Sequence, residues 1–162
     1  MVDHDPAWPA VFEALAAPVR EAVADLGAEV EHVGSTAVPG LAAKPVIDID
    51  VVVHSPDGVP EAIERLGVLG YVREGDMGIA GREAFLWPAG AVRHHLYVVV
   101  AGSRQHLDHI RFRDHLRAHP QVAAEYAALK RELAHRHGAD RNAYADAKAG
   151  FVASALSRAA PG

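Results

Sequence analysis

Two aspartates, Asp48 and Asp50, interrupt an eight-residue run, Val46 to Val53, that is otherwise Val and Ile. Side chains alternate along a strand, so Val46, Asp48, Asp50 and Val52 share one face and Ile47, Ile49, Val51 and Val53 the other. The two carboxylates then stand about 6.6 Å apart along the strand, at ~3.3 Å per residue. Like charges on one face of an apolar strand repel each other and lose hydration. A divalent cation between them makes the arrangement favourable. Mg²⁺ takes one or two protein carboxylates and completes its shell with water and substrate phosphate oxygens. The competing reading is an open sheet whose carboxylate face meets solvent.

Upstream, Gly34 and Ser35 stand where a short strand ends, and the loop from Thr36 carries no bulky residue until Leu41. Glycine lets backbone come close to a ligand, and successive N–H groups in such a loop cradle phosphate. A Gly–Ser pair alone is a plain turn. Joined by this loop to Asp-x-Asp in a strand, it is a more specific combination. Lys44 precedes that strand, within reach of a phosphate. Further cations and hydroxyls recur at helical spacing: Arg113 with Arg117, Tyr126 with Lys130, and Tyr144 with Lys148. These pairs, with Arg82 in a Gly-rich connection, form a candidate basic rim for a triphosphate or an anionic second substrate. Exposed charge on amphipathic helices is the alternative for each.

The elements that must position these residues follow from periodicity. Ala10 to Leu26 reads as a helix, with a kink expected at Pro18 and a stop at Gly27. Glu29–Val33 and Val46–Val53 read as strands, Pro60–Leu69 as a helix, and Tyr71–Arg73, Ala84–Trp87 and Val92–Val100 as strands. Three helices close the chain: Ser103–Ala118, Pro120–His137 ending at Gly138, and Asn142–Leu156. That order predicts one α+β domain over 1–162, a mixed β-sheet with flanking helices and a helical C-terminal third.

Bulk properties narrow the function classes. The 162 residues carry a net charge of −5, which argues against a nonspecific nucleic-acid binder. There is no cysteine, so disulfides and thiolate metal sites are excluded. No signal peptide or membrane-length apolar run is evident, and a cytoplasmic protein is expected. Eleven histidines are many for this length. Within "HLDHIRFRDHLRAHP", His106 pairs with His109 and His115 with His119 at helical spacing, but the pairs lie about 14 Å apart along one helix at 1.5 Å per residue. They cannot share a metal and read as solvated helix surface. His135 and His137 suit a helix C-terminus.

Gly34–Ser35, a dozen residues, then Asp48-Ile49-Asp50-Val51 resembles the signature of the nucleotidyltransferase fold. The whole chain, from "DPAWPAVFEA" through "EHVGSTAVPGLAAKPVIDIDVVV" to "FRDHLRAHPQVAAEYAALKRELAHRHGADRNAYADAKAGFV", is similar to the GrpB family, grouped with that fold. The resemblance implies that the Gly34–Ser35 turn, with Thr36, holds a nucleoside triphosphate and that Asp48 and Asp50 bind Mg²⁺. It also implies a third carboxylate on a later strand. The matching strand, Val92–Val100, contains no Asp or Glu. Arg93, His95, Tyr97 and Val99 share its more polar face. His95 can take the base role or ligate a metal, then favouring Zn²⁺ or Mn²⁺. A histidine hydrogen-bonded within a polar sheet face is the alternative, and Glu83 is a weaker substitute.

Three functions follow as expectations. The first is a metal-dependent nucleotidyltransferase with an unknown acceptor. The second is a non-catalytic nucleotide or phosphoanion binder. The third is a His/Asp metal hydrolase using Asp48, Asp50 and His95, with His32 as an optional further ligand.

Overall fold

Five inward residues spaced four, four, three and four apart decide the first helix. Trp8, Phe12, Ala16, Val19 and Val23 are the buried stripe of α1 (Trp8–Val23), which Pro9 helps start. The helix continues in one piece through Pro18, because buried residues on both sides of the proline bind its two halves to the same core. The computed structural model describes residues 1–137 and 141–159; the side chains of residues 137, 141–145 and 147 lie outside that description, as does Gly138.

The strands are β1 (Glu29–Val33), β2 (Ile47–Val53), β3 (Val72–Gly75), β4 (Arg82–Leu86) and β5 (His94–Val100), in the sheet order β1-β2-β5-β4-β3. β2 and β5 run parallel and every other neighbouring pair is antiparallel, so the sheet is mixed. A parallel pair needs a long crossover. Here α2 (Gly58–Val68) and the β3–β4 hairpin supply it. β4 begins two residues earlier than its apolar run because Arg82 and Glu83 pair with Val99 and Val98 of β5. β5 begins at His94 rather than Val92, whose carbonyl accepts a hydrogen bond from His94 Nδ1 at 2.6 Å.

The two faces of β2 part company as the alternation predicts. Ile47, Ile49, Val51 and Val53 pack with α1 and α2 in the main core, beside Leu96 and Val98 of β5. Asp48 and Asp50 look the other way, toward α3 (Arg104–Ala118). Ser103 caps α3, its hydroxyl accepting from the His106 N–H. α4 (Pro120–His137) and α5 (Arg141–Arg158) pack against α3. A second apolar cluster joins Leu116, Val122, Tyr126 and Ala127 to Val38 and Leu41 of the loop between β1 and β2. The chain is thus an α+β fold with a helical C-terminal third. Among the described residues no helix is long and apolar enough to cross a membrane.

Candidate functional site

Strand register brings the first pair together. Asp48 stands opposite His95, and Asp50 opposite Tyr97, across the β2–β5 ladder. His95 Nδ1 lies 2.7 Å from Asp48 Oδ1. A carboxylate can only accept, so Nδ1 carries the proton and Nε2 is the basic nitrogen. Asp50 is fully buried, and His109 of α3 donates from Nδ1 to its Oδ2 at 2.7 Å. Burial works against a charge on His109, but the bond to Asp50 and the nearby Asp48 outweigh it and raise its pKa. The strand therefore presents two His–Asp pairs side by side.

His109 corrects the reading of that helix as solvated surface. It follows the stripe that continues through Phe112 and Leu116, both packed in the second core, and that periodicity was the available signal. Among the described residues the other histidines of α3 have different partners. His106 accepts from the Gly102 N–H, and His119 donates to the His115 carbonyl.

The turn after β1 closes on Asp48. Gly34 has φ +76° and ψ −174°, and a Cβ there would collide with Asp48 Oδ2. Only glycine allows this approach. Ser35 and Thr36 open a 3₁₀ turn, Ser35–Ala37. Their hydroxyls have different partners. Thr36 Oγ1 meets His32 Nε2 at 2.8 Å, while Ser35 Oγ accepts from Lys130 Nζ at 2.8 Å. The His32 ring stacks on Phe12, and burial, with Arg117 nearby, pushes its pKa down to about 4.

Gly34, Ser35, Thr36, Asp48, His95, His109 and Lys130 line a cleft of about 670 Å³ that also takes in Lys44, Lys148, Arg82 and Arg93, while Asp50 and His32 lie behind its wall. Lys130 is 4 % exposed, and burial, then the neighbouring Lys148, pushes its pKa down to about 8. Lys148 is lowered too, by burial first. The Arg82 guanidinium lies over the Tyr97 ring, 4.7 Å from its centre. Five cationic side chains thus share the cleft with Asp48, although the chain as a whole is acidic. Such a concavity concentrates anions.

Other expected residues are placed elsewhere. Arg113 donates to Glu31 Oε2 and to the His32 carbonyl, and Arg117 donates to the Ala37 carbonyl. They fasten α3 to β1 and to the Ser35 turn rather than lining the cleft. Tyr126 is buried in the helical cluster, with Lys130 Nζ 4.8 Å above its ring. Glu83 pairs with Arg73. The Tyr144 side chain lies outside the described residues.

The donor set suits one kind of cation. The histidines leave Asp48 Oδ2 and Asp50 Oδ1, and Asp50 Oδ1 is buried without a hydrogen-bond partner. Hard carboxylate oxygens fit Mg²⁺ or Mn²⁺, whose remaining positions water and ligand oxygens fill. Among the described residues no three His, Cys, Asp or Glu side chains converge to hold a metal, as zinc would require.

Comparison with known proteins identifies the family and the fold. The GrpB protein family model matches residues 1–158. The UPF0157 protein YqkA of Bacillus subtilis is 39 % identical over 126 residues, 78 % of this chain. A UPF0157 protein of Pseudomonas aeruginosa is 40 % identical over 159 residues, 96 % of this chain. The chain spans 37 % and 65 % of those two relatives' lengths. The crystal structure of GrpB from Enterococcus faecalis superposes with a TM-score of 0.81 at 30 % identity, covering 97 % of each chain. The Cid1 poly(U) polymerase bound to MgATP gives 0.62 at 15 % identity, over 85 % of this chain and 45 % of Cid1, a likeness of fold alone. The chain belongs to the GrpB family and has a nucleotidyltransferase-like fold.

Proposed function

We propose that the cleft binds a nucleoside triphosphate with a divalent cation and transfers its nucleotidyl group to an acceptor hydroxyl. The observation that carries this reading is the convergence of Lys44, Lys130 and Lys148 with the Ser35 turn beside Asp48. Cations and a hydroxyl there match the charge and hydrogen-bonding needs of β- and γ-phosphates. Asp48 and Asp50 would hold the metal, which when bound neutralises charge on the phosphates. His95, oriented by Asp48 through Nδ1, turns a basic Nε2 toward an acceptor. Arg82, anchored over Tyr97, adds a further positive charge to the cleft lining. The MgATP complex of the similarly folded Cid1 is the supporting analogy.

Calorimetric titration with each nucleoside triphosphate and Mg²⁺ tests the reading. Binding is expected in the native chain and should weaken at least about tenfold in Asp48→Asn/Asp50→Asn, a change of ~1.4 kcal/mol. No binding, or equal binding by the variant, refutes it.

One observation favours a second reading. His95 occupies the β5 position opposite Asp48 where a third carboxylate is expected. A chain so altered binds nucleotide without turnover. Pyrophosphate release with any acceptor would exclude that reading. His32 is engaged with Thr36 and Phe12, which leaves the hydrolase reading with Asp48, Asp50 and His95 alone.

A further inference from the structure

Ser35 and Lys130 form a contact that nucleotide holding alone does not require. The lysine is almost fully buried, and its ammonium nitrogen is 2.8 Å from the serine hydroxyl oxygen. No acid within ion-pair distance accompanies it among the described residues, whereas the inward-turned Arg113 pairs with Glu31 and Asp114. Lys148 of α5, Lys44 of the β1–β2 loop and Arg131 of its own helix all oppose its charge, and among the described residues Asp48 of β2 favours it. Desolvation among other cations lowers the pKa of a lysine, here to about 8, so that the amine loses its proton far more readily than an exposed one. The ammonium donates to the serine hydroxyl; once it has lost its proton, the amine at the same 2.8 Å is a proton acceptor for a nucleophile. The neighbouring Thr36 hydroxyl is engaged by His32 instead, so the arrangement singles out Ser35.

We propose that Ser35 is a nucleophile with Lys130 as its base, and that it takes the γ-phosphoryl group of a nucleoside triphosphate held in the cleft. This rests on the nucleotide reading above. As Ser35 Oγ attacks, an Oγ–P bond forms at the γ-phosphorus and the bond to the β–γ bridging oxygen breaks. The hydroxyl proton passes to Lys130 Nζ. The nucleoside diphosphate leaves with the bridging oxygen, and the chain keeps a phosphoserine. That phosphate lies among Lys44, Lys130 and Lys148 and fills the turn a second triphosphate would need. The modification therefore stops at one group per chain and closes the site.

The test incubates the full chain with Mg²⁺ and ATP labelled at the γ- or the α-phosphate, and locates the adduct by peptide mass spectrometry. Label is expected from the γ-position only, on Ser35, absent in Ser35→Ala and at least about tenfold slower in Lys130→Met. Its rate should rise with pH toward about 8, as Lys130 loses its proton. A fluorophosphonate probe, which needs no nucleotide, should label Ser35 faster in the native chain than in Lys130→Met. Circular dichroism checks that both variants fold. Calorimetric nucleotide binding with neither label nor fluorophosphonate adduct overturns the proposal and leaves the nucleotide reading standing. Label from the α-position overturns it in favour of nucleotidyl transfer to the serine. Absence of nucleotide binding overturns the reading beneath it and removes the phosphoryl donor.

Discussion

Replacing Gly34 with alanine isolates the contact on which the cleft depends. The backbone there, at φ +76° and ψ −174°, is a conformation open almost only to glycine. Holding alanine in it costs about 1–3 kcal/mol. The new Cβ would also stand 3.0 Å from Asp48 Cγ, closer than side chains pack, and would overlap Oδ2. Asp48 must then turn away from His95, losing a charge-assisted bond worth about 1.5–3 kcal/mol at a buried site and less here, where both groups are partly exposed. Together these predict a loss of about 2–4 kcal/mol, a fall in Tm of roughly 5–15 °C for a chain of this size. Gly40→Ala is the control. Gly40 also has positive φ, +80°, but nothing lies within 4 Å of its Cβ position. It should lose only the backbone term, about 1–2 kcal/mol. Thermal melts followed by circular dichroism compare the two. Gly34→Ala melting no lower than Gly40→Ala would refute the claim that the turn is pressed against Asp48.

Two histidines set opposite limbs of the stability–pH curve. His32 has a folded pKa of about 4 against 6.5 unfolded, so the unfolded chain binds its proton first and stability falls as pH drops from 6.5 toward 4. His32→Gln should flatten that acid limb in melts at stepped pH. His109 is raised above 6.5, so its contribution is full below that pH and fades as pH rises through the folded value. His109→Gln should remove the fade, and an unchanged slope would count against the Asp50 contact. Lys130→Met should raise Tm by relieving repulsion from Lys148 while weakening nucleotide binding in calorimetry, a trade of stability for function. Leu41→Ala, at a buried site between the loop and the α3–α4 cluster, should cost about 2–5 kcal/mol in urea unfolding.

How much of this was legible in the sequence depends on the range of the interaction. Alternation along Val46–Val53 determined which face of β2 bears Asp48 and Asp50, because a strand's period is local and admits one solution once the apolar face is buried. The Gly–Ser turn, the polar face of β5 and the helical C-terminal third were equally local. Periodicity also located the five α-helices of the described residues, with ends shifted by a few residues where pairing or packing extended an element. What the sequence could not determine was which distant side chain meets which. His109, read as solvated surface, is 59 positions from the Asp50 it binds, and Lys130 is 95 from Ser35. Arg113 and Arg117 looked like ligand-binding cations, yet the docking of α3 commits them to Glu31, His32 and Ala37. Such contacts are set by how three helices settle over one sheet face, a global packing outcome that no residue spacing encodes. The sequence by itself determined a carboxylate ledge and a Gly–Ser turn. Only the tertiary structure decided that two histidines would hold the ledge and a buried lysine the turn.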